Sequence, residues 1–582
     1  MVFSLPRIIC ISILCLCQYS WAQHNSLFGE VDTLTYAYRI GGSIDSVDLI
    51  TGRNSSTFIG GGWNTKANTF ENDFFIENTG GQQFFSFSKW KKLQFTGLPH
   101  LGFAYSFGSK GMQCINSEFQ QVYREKLMLN VFYEKNAAEG FLRNSFFDHN
   151  HVQVQLNKLG KVYSFNLRSS YESSTVGQNG GLQVDTLPEY LDIELLSVNK
   201  NSAETKTQRS RVELTNYIDF LDDSLNALGL FSEHLLKIKK YRYFEEDTLE
   251  GIYSVLNYDT IKTYDQHQWS EISNGLGLFY SGKSWLIKVQ PVISYWNFKN
   301  LGRFNDTVEV DFKSDISYLG RFIKFTESFN YNFFGAQNEW SNKFDLGLRM
   351  SDFKLVLSSD ISSLLPDYHQ RYAQGNNYFA IGNNLERQNR SNQKLSIGYQ
   401  LKKISFKGRF GLTQLKNNYW FVDTIWRNDS LNSLSFAQMG LISALSFGAL
   451  NIHLTYNYSI CPDDLTIIPT HQFFGRVYLK GGVFKAKKMR AYVGFDIAYL
   501  SSYQRLGYYS QIATFDMNNP DAIAVNASSL HFFTGFQIDE FKFYLRLENL
   551  NYFWADRNLQ TARGYPIPPE QFRLGITWDF FN

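Results

Sequence analysis

The chain has 582 residues, a formal net charge of +2, 17% aromatic residues and a mean hydropathy of −0.29. The near-neutral charge argues against a nucleic-acid partner or an acidic surface. Beyond the first residues no apolar run reaches the roughly 18 positions of a transmembrane helix, and the cysteines are too few and scattered for a disulfide scaffold.

Residues 1–22 read as a secretory signal peptide. Arg7 supplies the positive start, Ile8 to Cys17 the short apolar core, and Ser20-Trp21-Ala22 a small-x-small cleavage site, so the mature chain is expected to begin near Ala22–Gln23. The apolar core is shorter than the roughly 20 residues that span a bilayer. After cleavage only Cys114 and Cys461 remain.

Residues 23–97 are broken by Gly60-Gly61-Gly62 and Gly80-Gly81, with short apolar bursts at Phe74-Phe75-Ile76 and Phe84-Phe85. The segment is too short for the plug of a TonB-dependent transporter. It is expected to be a periplasmic extension, or a segment associated with the mouth of the domain that follows.

Residues 98–582 carry period-two alternation of apolar and polar positions, the mark of half-buried strands. Val152, Val154 and Leu156 alternate up to a turn at Asn157–Gly160, and Tyr163, Phe165 and Leu167 alternate back. Equivalent hairpins turn at Ser281-Gly282-Lys283, Ser351-Asp352, Lys402-Lys403, Phe447-Gly448 and Asp539-Glu540, with weaker pairs near 211–243 and 474–500. Long polar stretches at 173–208, 244–270, 362–393, 413–437, 501–528 and 550–570 separate them. Short turns on one side and long loops on the other are the pattern of an outer-membrane barrel, with periplasmic turns and extracellular loops. The eight hairpins, an opening strand near Lys126–Lys135 and a closing C-terminal strand predict an all-β, transmembrane antiparallel barrel. About 18 strands are expected, within a range of 16 to 20, and the stretches 101–108, 112–121 and 317–334 are candidates for more.

The last residues alternate strictly. Phe572, Leu574, Ile576, Trp578 and Phe580 share one face, and Arg573, Gly575, Thr577 and Asp579 the other. Such an edge would be sticky on a soluble protein, but it is natural where the last strand closes on the first and its apolar face meets lipid. An aromatic-ended terminal strand also resembles the signal read by the outer-membrane assembly machinery.

The same parity sorts the interior. Lys343, Asp345, Arg349, Lys407, Arg409, Lys542, Arg546, Glu548 and Arg573 lie opposite the apolar face. A lipid-facing Lys or Arg costs ~2–4 kcal/mol at the membrane midplane, so these groups are expected to line the lumen. Basic residues outnumber acidic ones among them, which would favour anions in an open pore unless carboxylates pair with them.

Three stretches resemble the putative porin family, outer-membrane β-barrels of Gram-negative bacteria. They are Phe107-Gly108-Ser109-Lys110-Gly111-Met112-Gln113 with Phe119-Gln120-Gln121; Asn130-Val131-Phe132-Tyr133 through Asp148-His149-Asn150; and the closing Phe572–Asn582 segment. In that family the first stretch precedes the first barrel strand. The resemblance runs over roughly residues 70–582 and is weakest before residue 97. It implies a channel and brings no catalytic residues.

The chemistry-bearing patterns are weak. His149 and His151 share a strand face but have no further ligand nearby, so a polar pair is favoured over a metal site. Ser273-Asn274-Gly275 echoes part of a phospholipase motif, but His267 stands too far from the serine in sequence to act as its base. No catalytic, metal or cofactor site is expected, and no enzyme. Tyr419, Trp420 and Trp426 would anchor loops or stack on sugars.

The sequence thus points to a water-filled channel for passive diffusion of small hydrophilic solutes in the Gram-negative outer membrane. Lipid, lipopolysaccharide and the barrel assembly machinery are its expected partners, and self-association is left open. A substrate-selective transporter for an oligosaccharide or hydrophobic compound, or a structural or adhesion barrel, is the alternative.

Overall fold

The computed structural model describes residues 32–33, 58–59, 63–64, 90–91, 94–95 and 98–581, the last span without 125, 185–191, 224–225, 248–252, 301–302, 337, 380–384, 402, 423, 429–432, 462–468, 485–487, 505–506, 517–523, 555–559 and 567. The signal peptide and most of the 23–97 segment lie outside the described residues.

The chain forms one closed antiparallel barrel of 22 strands, each hydrogen-bonded to its neighbours in sequence. In chain order they are β1 (His100–Gly108), β2 (Met112–Tyr123), β3 (Leu127–Ala138), β4 (Phe147–Lys158), β5 (Tyr163–Gly177), β6 (Glu204–Asp223) and β7 (Asn226–Glu245). Next come β8 (Thr263–Ser281), β9 (Trp285–Asn300), β10 (Arg303–Leu319), β11 (Ile323–Phe334), β12 (Trp340–Met350), β13 (Phe353–Leu364) and β14 (Gln388–Gln400). The set is completed by β15 (Ile404–Lys416), β16 (Ser433–Phe447), β17 (Leu450–Ile460), β18 (His471–Gly482), β19 (Met489–Gln504), β20 (Ala524–Ile538), β21 (Phe541–Glu548) and β22 (Gln571–Phe581).

Closure is made by β22. It pairs with β21 on one side and with β1 on the other, from Arg573 opposite Gly108 to Phe581 opposite His100. Phe572, Trp578 and Phe580 project outward and exposed, and Trp578 stacks on Phe580 with ring centres 4.5 Å apart. The outward face elsewhere carries Leu276, Leu278, Ile293, Val477 and Leu479, which are exposed in the isolated chain and suited to lipid.

The strand count corrects the expected 18. The four additional strands are β1, β2, β10 and β11. The Gly-Ser-Lys-Gly stretch does not precede the barrel but turns its first hairpin through residues 109–111, with Lys110 and Gly111 both at positive φ (56° and 63°). The opening strand is therefore β1, not the segment near Lys126–Lys135, which is β3. Strand β11 carries a bulge near its end: Val310 faces Phe334 and Asp311 faces Asn332, which leaves Phe333 as the extra residue. In addition, β9 and β10 join through residues 301–302 alone, where a long loop would have separated two hairpins.

The six long connections all leave from one rim of the barrel, at 178–203, 246–262, 365–387, 417–432, 505–523 and 549–570. β6 and β7 are each 20 residues long, about twice the 9–11 residues that a tilted strand needs to cross a membrane. This part of the wall therefore stands well above the lipid on the long-loop side. Lys91 lies against the inner wall: its N–H donates to Gln153 Oε1 (3.0 Å) and its carbonyl accepts from Gln155 Nε2 (2.9 Å). The guanidinium groups of Arg168 and Arg211 lie 5.3 and 5.1 Å from the Trp90 ring.

Deleting Trp578–Asn582, or Phe580→Asp, removes the apolar face that closes the sheet. Refolded variants should lose the heat-modifiable, SDS-resistant band on gels. A variant that keeps that band would refute the role of β22.

Candidate functional site

The long connections do not hang free. Gln374–Gly375, Tyr378–Phe379, Ile425–Asn428, Tyr419–Val422, Thr514–Asp516 and Gly507–Tyr509 join, in that order, into a six-stranded sheet built from three different loops. Its aromatic core consists of Tyr378, Tyr419, Phe421 and Trp426 against Phe298 of the barrel wall. Tyr419 locks the base of loop 365–387: its hydroxyl donates to the Leu364 carbonyl (3.2 Å) and accepts from the Gln388 N–H (2.8 Å). The loop aromatics expected to anchor loops do so at Tyr419 and Trp426.

Two buried polar residues join this cap to other loops. The Asn376 side-chain oxygen accepts from the N–H groups of Tyr258 (3.0 Å) and Asp259 (3.1 Å), and its amide donates to the Asp259 carbonyl (2.7 Å) and Thr263 Oγ1 (3.2 Å). Its backbone N–H donates to Asp265 (2.9 Å). Lys200, from loop 178–203, donates to the Tyr243 hydroxyl (3.0 Å), to Ser510 Oγ (2.8 Å) and to the Tyr253 hydroxyl, with Glu245 at 3.7 Å. Burial pushes the Lys200 ammonium down to about 8, against the pull of Glu245.

Beside the cap lies a cavity of about 300 Å³. One side is the inner face of β7 to β10, contributing Lys237, Lys239, Trp269, Glu271, Trp296 and Glu309. The other is the start of loop 365–387, where residues 368–372 form one helical turn. That turn is set by a capping box, the Asp367 N–H donating to Gln370 Oε1 at 3.0 Å. Trp269 and Trp296 meet at 4.9 Å and 56°, and Tyr368 stacks on Trp296 at 5.6 Å and 22°. Lys239 lies 4.4 Å over Trp269, and Arg371 lies 4.5 Å over Tyr368. Lys237 pairs with Glu271 (2.8 Å), the Tyr368 hydroxyl donates to Glu309 (3.3 Å), and the Leu365 N–H donates to Glu339 (2.6 Å). Burial raises the Glu339 carboxyl above its ordinary range.

The residues expected to line the lumen separate into two groups. Lys343, Asp345, Arg349 and Lys407 are exposed on the inward parity, with Lys343 3.8 Å from Asp360 and Asp345 accepting from Ser358. Arg546 and Arg573 are fully buried, and with Glu548 they belong to an ion-pair chain. Asp496 sits at the heart of that chain. It accepts from Arg476 Nε (2.6 Å) and Nη2 (3.0 Å) and from Arg546 Nη1 (2.7 Å), while Glu548 takes Arg546 Nε (2.9 Å) and Arg573 Nη2 (3.0 Å). Arg546 and Arg573 therefore have wall carboxylates as partners and add little to a positive field in the lumen. Lys542 and Arg409 also lie on the inward parity. His149 and His151 contact Ser174 (2.7 Å) and Ser170 (3.2 Å) respectively, and among the described residues no three potential ligands form a metal cluster. Ser273 donates to Glu271 (2.8 Å), whereas the His267 ring engages the Tyr378 hydroxyl.

A family model described as "Putative porin" matches residues 66–582. The chain belongs to this family. It is an outer-membrane β-barrel. No curated protein matches this porin-family chain. Among solved structures, the FrpB iron transporter from Neisseria meningitidis superposes with a TM-score of 0.56 at 10% identity, covering 83% of this chain and 81% of that one. The siderophore receptor PirA from Acinetobacter baumannii gives 0.57 at 11%, covering 84% and 82%. The ferric-catecholate import receptor Fiu from E. coli K12 gives 0.56 at 11%, covering 85% and 84%. At such identities the likeness is one of fold.

Two variants probe these networks. Asp496→Ala leaves two buried guanidinium groups without their shared carboxylate, which should cost roughly 3–5 kcal/mol. Urea unfolding of the refolded barrel, read by gel mobility, should show a large drop in midpoint, with Asp345→Ala close to wild type. Asn376→Ala strands several buried partners at about 1–3 kcal/mol for an unsatisfied group. Protease cleavage within 246–262 and 365–387 should accelerate while the barrel band persists.

Proposed function

We propose that this barrel is a substrate-selective outer-membrane transporter rather than an open diffusion pore. The observation that carries the reading is the loop sheet folded over the long-loop rim beside a cavity walled by aromatic and charged groups. A passive pore for small hydrophilic solutes needs an unobstructed mouth, whereas a selective one needs a place where a solute is bound before it passes. Pockets for small ligands typically enclose about 300–1,000 Å³ and combine aromatic walls with a few placed polar groups, and this cavity fits that description. The similar solved structures carry names of iron and siderophore uptake, which is in keeping with selective import on a barrel of this kind.

In this reading the exposed inward face of β12 to β15, with Lys343, Asp345 and Lys407, borders the water-filled route. Residues 23–97 act as a mouth-associated segment tethered at Trp90 and Lys91. The signal peptide directs export, the aromatic face of β22 is recognised by the assembly machinery, and the outward apolar band meets lipid and lipopolysaccharide.

Planar-bilayer recordings test the proposal. The wild-type protein should give little steady conductance, and deletion of residues 366–386 should produce large, long-lived openings. A wild-type barrel that already conducts steadily, with permeability set by solute size alone, would restore the passive-pore reading.

A further inference from the structure

We infer that the cavity between β7–β10 and the helical turn at residues 368–372 takes a neutral, polyhydroxylated ring compound, one or two sugar units in size. This inference rests on the selective-transporter reading and narrows its substrate.

Charge argues first. The wall carries three cations, Lys237, Lys239 and Arg371, against four carboxylates, Glu271, Glu309, Glu339 and Asp367. An anion entering this site leaves water without a net positive field to compensate it. A cation fares no better: Glu271 is already paired with Lys237, burial raises the Glu339 carboxyl toward its neutral form, and aromatic faces that attract cations are met by the protein's own. Lys239 covers Trp269 and Arg371 covers Tyr368. A neutral ligand is the remaining class.

Hydrogen-bonding demand then specifies its chemistry. The Trp296 indole N–H and the Arg371 Nε–H are buried donors in this wall with no protein acceptor. The carboxylates have the opposite demand. Glu309 receives the Tyr368 hydroxyl and Glu339 the Leu365 N–H, and each carboxylate offers about four lone-pair sites. A ligand that satisfies both sides must donate and accept from the same small groups. Hydroxyls do so, and an apolar compound does not. The cavity volume lies at the small end of ligand pockets, which limits the occupant to one or two rings.

Binding is measured on the refolded full-length barrel by intrinsic tryptophan fluorescence and calorimetry. The probes are neutral mono- and disaccharides (glucose, galactose, maltose, lactose), with glucuronate and glucosamine as charged counterparts. At least one neutral sugar should bind ten times more tightly than either charged ring. Trp296→Phe, which keeps the ring but removes the N–H, and Glu309→Leu, which removes the acceptor, should each weaken that binding about tenfold. Retention of the heat-modifiable band shows that both variants are folded. Preference for glucuronate or glucosamine, absence of binding by every neutral sugar, or neutral binding unchanged in both variants would overturn the inference. The two readings fail separately. A barrel that stays closed until residues 366–386 are deleted but prefers a charged ring loses only the sugar assignment. A wild-type barrel that is open in bilayers loses the transporter reading itself.

Discussion

The structure depends on one constraint: a sheet placed in hydrocarbon must pair every backbone N–H and C=O within itself. A helix could do so locally, but among the described residues no helix is long and apolar enough to cross a membrane. The remaining solution is closure, and the β22–β1 seam provides it. Once the sheet is closed, alternation follows. Successive side chains point to lipid and to lumen, so every strand must be apolar on one face and free to be polar on the other.

Closure with 22 strands creates the next requirement, which is to manage a wide, polar interior. The protein does this in three ways around its circumference. Along β18 to β22, inward arginines are tied to Asp496 and Glu548 and lie beside a packed aromatic group of Tyr478, Tyr492, Phe533 and Tyr544. Along β12 to β15 the inward residues nearer the short turns, Lys343, Asp345, Arg349 and Lys407 among them, stay open to water. Above β7 to β10, where the strands are longest, loops fold inward and build the cap and its cavity. The division between a pore and a gated transporter therefore lies in the loops, while the wall serves either.

Much of this was legible in the chain. The hairpins from Val152 onward, the rim bearing the long loops and the closing strand all follow from period-two patterning, because burial against lipid imposes it residue by residue. Four strands fall outside the count of 18, although the stretches 101–108, 112–121 and 317–334 mark β1, β2, β11 and the end of β10 as candidates. β11 carries a bulge near its end, β9 and β10 share a very short connection, and β1 and β2 flank a Gly-rich stretch that resembles a leader to the barrel. Parity in the sequence groups charged residues on one strand face, Arg546, Glu548 and Arg573 among them. Their pairing is not legible there, since Asp496 lies 50 residues from Arg546 in sequence.

The sequence by itself determined the class of fold, the direction each strand face points and the way the sheet ends, because these depend on near neighbours and on a solvent that is the same around the whole barrel. Only the tertiary structure decided the strand number, the cap and the cavity. Lys237, Glu271, Trp296, Glu309 and Arg371 sit on separate strands and a loop, and no spacing rule relates them. They meet because the wall curves and one loop folds back into it, a long-range event that local alternation does not encode.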